Sequence, residues 1–235
     1  MSVIEICAAN LESALAAQKA GAHRIELCSG LELGGVTPSA GLIRAAVALL
    51  DIPVCVLIRP RPGHFCFQLE ELSLMCDDIA FCRESGAAGV VIGALTDTFD
   101  LDIAALEAMK SAAGNMEVVF HRAFDFVNDT HAAMKILIRM GFSRILTSGQ
   151  APSAWEGRET IASWVKQAND RITIMPGGGI SESNIAALKA ATGANDFHLS
   201  AKKSVDLPAA KPVQGLDTAY FISDEATIVR SIALV

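Results

Sequence analysis

Residues 10–28, NLESALAAQKAGAHRIELC, contain a complete helix–turn–strand unit. Asn10 is a typical helix N-cap, and the apolar residues that follow it recur at helical spacing. Gly21 suits the left-handed position just beyond a helix, and three residues later a short apolar run of strand length ends at Cys28. The same arrangement, with a glycine three residues before a strand, recurs along the chain, for example at Gly193.

Extending this unit in both directions gives eight strands and eight helices in alternation. The predicted strands cover residues 3–7, 24–28, 53–59, 89–94, 117–122, 143–148, 171–176 and 196–200. The predicted helices cover residues 10–20, 39–50, 68–85, 102–113, 128–140, 153–169, 181–192 and 223–234. Eight strand–helix alternations with short loops predict an α/β fold of the closed (β/α)₈ type, a TIM barrel.

A doubly wound open sheet is the rival architecture. Against it, the first strand–helix loop reads Cys7-Ala8-Ala9-Asn10 and lacks the glycine-rich dinucleotide fingerprint. The length of 235 residues fits one α/β domain. We therefore expect a single barrel domain over residues 1–235, with residues 204–222 as a long loop that leads to the last helix.

Composition excludes several classes of function. The net charge of −7 argues against nucleic acid or an anionic membrane surface as a partner, because both require a basic patch. No apolar run approaches the ~20 residues that span a bilayer, and the N-terminus lacks the pattern of a signal peptide. The six cysteines form no CxxC pair, so we expect reduced thiols in a cytoplasmic protein. The sequence is compatible with a homo-oligomer.

Polar residues stand where most of the predicted strands end, and in a barrel these ends converge on one mouth. The candidate acid–base and substrate-binding residues at these positions are Glu5, Glu26, Arg59, His121 and His198. Two glutamates on neighbouring strands can share a proton, and each histidine can act as an acid–base group or a metal ligand. The alternative is a set of residues that only satisfy one another in the barrel interior.

A glycine-rich turn follows the seventh strand and enters a helix, in the segment PGGGIS at residues 176–181. Such a turn presents free backbone amides and the positive end of a helix dipole, which favours phosphate or carboxylate. The candidate anion-binding residues are Arg61, Arg122, Ser148, Gly177, Gly178 and Gly179. These residues predict a small anionic ligand, although arginine–glutamate pairs that neutralise each other remain the alternative.

Side-chain parity brings two cysteines together. Residues two apart on a strand share a face, so Glu5 and Cys7 point the same way, as do Glu26 and Cys28 on the next strand. Neighbouring parallel strands lie about 4.8 Å apart, so the two thiols should lie close together near the mouth. Two neighbouring thiolates suit a soft cation such as Cu(I). The alternative is that both cysteines are small buried hydrophobic residues.

Several motifs together resemble the CutC family. They are RIELC at 24–28, GGVTPS at 34–39, IRPR at 58–61, FHRAFD at 120–125, LTSGQ at 146–150 and HLSA at 198–201. The resemblance runs in family order across residues 3–201. It implies a cytoplasmic TIM barrel with a role in copper homeostasis, and Cu(I) binding through Cys7 and Cys28. Residues 61–65, RPGHF, depart from the family pattern and lose an acidic residue at the mouth.

Two hypotheses therefore stay open at the level of sequence. One is a copper-binding protein in which Cys7 and Cys28 hold Cu(I). The other is an enzyme of the acid–base lyase or isomerase type that acts on a small anionic or phosphorylated metabolite. The family resemblance favours the first, whereas the number of polar strand ends favours the second.

Overall fold

The barrel strands are short aliphatic segments that are buried on both faces, as parallel strands covered by helices must be. A computed structural model describes residues 2–206 and 218–235. The eight barrel strands are β1 Val3–Ala8, β2 Arg24–Leu27, β3 Val54–Leu57, β4 Gly89–Ile92, β5 Glu117–Phe120, β6 Arg144–Thr147, β7 Thr173–Pro176 and β8 Asp196–Leu199. All pair in parallel in chain order, β8 also pairs with β1, and a bridge between Gly177 and His198 joins β7 to β8. The predicted (β/α)₈ barrel is confirmed.

Eight α-helices pack around the barrel in the described part of the chain. They are α1 Leu11–Lys19, α2 Ala40–Leu49, α3 Leu69–Glu84, α4 Ile103–Ala113, α5 Thr130–Met140, α6 Arg158–Ala168, α7 Ile185–Thr192 and α8 Glu225–Ala233. Polar caps fix several of their starts: the side chain of Asn10 accepts from the amide of Ser13, and Asp224 accepts from Thr227. No helix among these is both long and apolar enough to cross a membrane.

Two helices begin four or five residues later than the periodicity predicts. Helix α6 starts at Arg158 instead of residue 153, because the preceding segment is bound to the loop that follows β7. There the amide of Ala154 donates to the carbonyl of Gly178, and the backbones of Gly149 and Gly157 touch. Helix α7 starts at Ile185 instead of residue 181, because the Asn184 side chain accepts from the amide of Ser181 and so ties residues 181–184 into a turn.

The segment expected to be a loop, residues 204–222, begins and ends in β-structure. Strands β9 Lys202–Asp206 and β10 Ala219–Ser223 form an antiparallel pair next to α1. The Asn10 side chain donates to the carbonyl of Phe221, and Tyr220 donates to Glu12. This correction applies to the two ends of the segment, since residues 207–217 lie outside the described part of the chain.

The buried side chains form two apolar groups, and the smaller one lies inside the barrel. The larger group fills the space between strands and helices. The smaller group consists of Cys7, Cys28, Cys55, Leu57, Val91, Val119, Leu146 and Met175. These inward-facing residues form the floor on which the candidate site rests.

Candidate functional site

A cavity of about 550 Å³ opens at the carboxyl ends of the barrel strands. Four of the five predicted acid–base and substrate-binding residues line it: Glu26, Arg59, His121 and His198. The fifth, Glu5, lies beneath the cavity floor and is almost completely buried. Leucines and Phe65 supply much of the remaining wall. The cavity thus combines an apolar body with several ionisable groups, as binding sites for small molecules do.

The two cysteines singled out by parity meet at the cavity floor. The sulfurs of Cys7 and Cys28 lie 3.6 Å apart. Cys7 lines the cavity, whereas Cys28 is fully buried behind it. The hydrogen bond between the two thiols and their burial raise the pKa of Cys7 well above its usual value. In the absence of metal the Cys7 thiol is therefore protonated at neutral pH.

A row of ionisable side chains in close contact crosses β1, β8 and β2 beside these thiols. The Nδ1 atom of His198 lies 2.8 Å from a carboxylate oxygen of Glu5, and its Nε2 atom lies 3.4 Å from Glu26. Burial alone would lower the pKa of His198, but the charges of Glu26 and Glu5 outweigh it and raise the pKa. Burial raises the pKa of Glu26, and the nearby Glu5 charge adds to this effect. His198 and Glu26 thus form a coupled pair that can exchange a proton at the cavity.

Glu5 is held as an ion by two arginines. Burial would raise its pKa, but the bond to His198 and the charges of His198, Arg24 and Arg144 lower it to about 2. Arg24 Nε donates to Glu5 over 2.6 Å, and Arg24 also bonds to Asp196 on β8 over 2.7 Å. Glu5 therefore orients His198 and does not itself offer a proton to a ligand.

His121 is a neutral donor at the cavity wall. Its Nδ1 atom accepts a hydrogen bond from the amide of Ala123, so the hydrogen of the neutral ring lies on Nε2. Nε2 is buried and has no partner among the described residues. Burial and the charge of Arg59 lower the pKa of His121 to about 3. The ring therefore stays neutral at physiological pH, with a buried Nε2–H group that has no acceptor among the described residues.

Arg59 is mostly committed to the backbone. Its guanidinium donates to the carbonyls of Leu33, Gly35 and Gly63 over 2.8–3.2 Å. These contacts hold the turn that contains Gly35 against Cys28. Only the Nε atom of Arg59 lacks a partner. The residue lines the cavity, but most of its donors stabilise the loops around it.

The predicted anion-binding residues separate into two groups. Arg122, Gly178 and Gly179 line the cavity, and a Cβ atom on Gly178 would lie only 3.4 Å from Arg122 Nη1. Neither glycine amide donates a hydrogen bond within the described residues. By contrast, Arg61 lies outside the lining and bonds to Glu71 on α3 over 2.5 Å. Arg122, Gly178 and Gly179 therefore form a polar rim that we call the cationic rim.

Ser148 and Gly177, the other two predicted anion-binding residues, lie beneath the cationic rim. Ser148 is buried, accepts from Arg122 over 2.7 Å and donates to the carbonyl of Ala151. Gly177 packs under Leu146 and beside His198. Asp125, which the sequence analysis did not select, accepts from Arg122 over 2.9 Å. Its position three residues after Arg122 is the local signal that could have identified it.

Several lining residues are not among the candidate site residues selected from the sequence. Lys202 on β9 and Thr227 on α8 reach the cavity from the C-terminal part of the chain. The turn at Gly34-Gly35 also lines it, and a Cβ on Gly35 would lie 2.7 Å from Leu57. Their approach depends on how distant segments pack, which local patterns do not encode.

Comparisons with known proteins agree on one family. The sequence profile of the CutC family matches residues 2–203. A CutC family protein from Pasteurella multocida is 48% identical over 199 residues, which are 85% of this chain and 82% of that protein. Another from Xanthomonas axonopodis is 44% identical over 232 residues, 97% of each chain. A solved CutC structure from Streptococcus agalactiae, named for copper homeostasis, has a TM-score of 0.82 at 36% identity and covers 85% of this chain and 99% of its own.

Proposed function

This chain belongs to the CutC family, and from that premise we propose that it binds Cu(I) as cargo through the thiolates of Cys7 and Cys28. The observation that carries the proposal is the distance of 3.6 Å between the two sulfurs. Metal–thiolate bonds are about 2.3 Å long, so two sulfurs on one ion lie at most about 4.6 Å apart. The pair fits this limit without movement of the backbone.

The chemistry of the surroundings supports a soft monovalent ion. The buried apolar group that contains the pair also includes Cys55, Met175 and four aliphatic side chains. Thiolates prefer Cu(I) over hard cations. Because the Cys7 thiol is protonated without metal, binding releases its proton, and affinity should rise with pH. We place this function in the cytoplasm, where thiols are kept reduced.

Replacing either cysteine tests the proposal. Under anaerobic conditions, competition with a chromophoric Cu(I) chelator should show one Cu(I) per chain at this site. Cys7→Ser and Cys28→Ser should each weaken binding on the order of 100-fold or more, because one of two ligands is lost. Cys76→Ser is the matched control, since Cys76 lies on α3 away from the cavity and should leave affinity unchanged. Unchanged affinity in both site variants would rule out the dithiolate.

A second function is supported by a different observation, the size of the cavity. About 550 Å³ is far more than one metal ion needs, and the cationic rim faces it. The arrangement suits an acid–base lyase or isomerase in which His198 and Glu26 move a proton. The cationic rim would then hold the anionic group of a small metabolite.

The cationic rim can be tested with inorganic phosphate as the probe. Arg122→Met should weaken phosphate binding about tenfold or more, because a charge-assisted hydrogen bond is lost. Arg61→Met is the control, since its guanidinium bonds to Glu71 outside the cavity. Equal phosphate affinity for Arg122→Met and the unaltered protein would contradict this second function.

A further inference from the structure

Three possible metal ligands of different chemistry meet at the cavity floor. One ligand atom each from Cys7, Glu26 and His198 lie within 4.8 Å of one another. The three residues come from β1, β2 and β8, which are neighbours in the barrel. All three also line the cavity. Their closeness is therefore fixed by the strand pairing and does not depend on a flexible loop.

The orientation of His198 matches that of a metal-binding histidine. Ligating histidines commonly bond to a carboxylate through the ring nitrogen that does not bind metal. Here Nδ1 of His198 lies 2.8 Å from a carboxylate oxygen of Glu5. The other ring nitrogen, Nε2, faces Glu26 at 3.4 Å. Arg24 in turn holds Glu5 from the opposite side at 2.6 Å. Glu5 is thus an outer partner that cannot swing into the site.

The donor set differs from that of a copper dithiolate. One sulfur, one imidazole nitrogen and one carboxylate oxygen suit a borderline divalent ion such as Zn²⁺. Catalytic zinc sites typically have three protein ligands and keep a fourth position open. In this barrel the open side of the three ligands is the cavity. Cys28 lies behind Cys7, away from that opening.

We propose that Cys7, Glu26 and His198 form a three-ligand Zn²⁺ site, with Glu5 as the outer partner of His198 and an open position toward the cavity. This site goes beyond the proposed Cu(I) function and shares only Cys7 with it. Binding replaces the Cys7 proton and any proton on His198 with the metal, so protons are released to solvent. A ligand in the cavity could then occupy the fourth position.

Titration of the metal-free protein with ZnCl₂ against a chromophoric chelator tests the site. We expect one Zn²⁺ per chain in the unaltered protein. Cys28→Ser should leave Zn²⁺ affinity within about twofold, because Cys28 is not a ligand of this site. His198→Gln and Glu26→Gln should weaken it on the order of 100-fold, and Glu5→Gln about 10- to 100-fold through the outer contact.

Co²⁺ substitution supplies a second readout that does not depend on affinity or activity. A thiolate-to-cobalt charge-transfer band should appear and persist in Cys28→Ser, but disappear in Cys7→Ser. Circular dichroism identifies any variant that fails to fold. If the histidine or glutamate variants do not fold, retention or loss of Zn²⁺ binding in Cys28→Ser tests the proposed site by itself. Loss of Zn²⁺ binding in folded Cys28→Ser, its retention in His198→Gln, or no binding at all would overturn the proposal.

Cu(I) measurements on the same variants separate the two proposals. The dithiolate requires Cu(I) binding to fail in Cys28→Ser and to survive in His198→Gln. The zinc site requires the opposite pattern for Zn²⁺. Either proposal can therefore fail while the other stands.

Discussion

His121 is a buried histidine whose protonation state is defined by its neighbours. The amide of Ala123 fixes the tautomer, and burial together with Arg59 keeps the ring neutral. The sequence analysis selected this residue as an acid–base candidate because it ends β5. The sequence could not reveal that the ring is buried, and burial keeps it neutral at physiological pH.

Acid should destabilise the protein partly through His121. Its pKa is about 3 in the folded state and about 6.5 when exposed, so the folded state binds fewer protons. Its contribution to stability is therefore complete above about pH 6.5 and is lost as the pH falls toward 3. The loss is up to about 1.4 kcal/mol per pH unit.

Urea unfolding of His121→Gln across this pH range tests whether His121 makes the protein less stable as the pH falls. The variant should lose less stability between pH 6.5 and 4 than the unaltered protein. His131→Gln, on the exposed face of α5, should follow the unaltered protein. Parallel curves for His121→Gln and the unaltered protein would show that His121 binds its proton equally well in the folded and unfolded states, which contradicts a lowered pKa.

Gly93 makes room for the His121 ring. A Cβ atom on Gly93 would lie 2.5 Å from Nδ1 of His121, closer than any stable contact. Gly93→Ala should therefore displace the ring and lower the free energy of unfolding by about 1–3 kcal/mol. Gly41→Ala is the control, because Gly41 lies in α2 with space around it and alanine favours a helix by about 0.5–1 kcal/mol. Equal stability of the two variants would contradict this close packing.

Strand β1 shows how far the alternation of side chains along a strand predicts which residues meet inside the barrel. Alternation along the strand correctly places Glu5 and Cys7 on the inner face, and the same rule applied to β2 brings Cys28 beside Cys7. Parity did not identify the second arginine beside Glu5. Arg24 lies opposite Glu5 on the neighbouring strand β2, whereas Arg144 begins β6 and reaches Glu5 only because the barrel closes.

The ends of helices and loops were harder to predict for the same reason. The late start of α6 follows from contacts with β7, and the β9–β10 pair follows from contacts with α1. Arg59 and Arg61 are two residues apart, yet one lines the cavity and the other bonds to α3. Their different positions depend on the loop after β3, for which the sequence offers no periodic signal.

Arg24 links three barrel strands through buried ion pairs. It lies on β2 and bonds to Glu5 on β1 and Asp196 on β8. Arg24→Met would leave buried Glu5 without its main partner, which typically costs about 3–5 kcal/mol. Arg230→Met is the matched control, because its pair with Glu182 is exposed and contributes about 1 kcal/mol or less. Similar urea midpoints for the two variants would contradict a structural role for the buried pairs.

The whole barrel is layered along its axis. Buried ion pairs around Glu5 lie lowest, the sulfur-rich layer with Cys7 and Cys28 lies above them, and the open cavity lies above both. The ionic layer fixes His198, the sulfur layer supplies soft ligands, and the cavity gives access from outside. The two proposed functions would use different levels of this order, the metal ion at the sulfur layer and the small anion at the cationic rim.

The most direct test of metal binding at the sulfur layer is anomalous diffraction at the copper edge from crystals loaded with Cu(I) under anaerobic conditions. The dithiolate requires one peak within bonding distance, about 2.3 Å, of both Cys7 Sγ and Cys28 Sγ. A peak only at other residues, such as the partly exposed Cys76, or no peak between the two sulfurs, would contradict the proposed copper site.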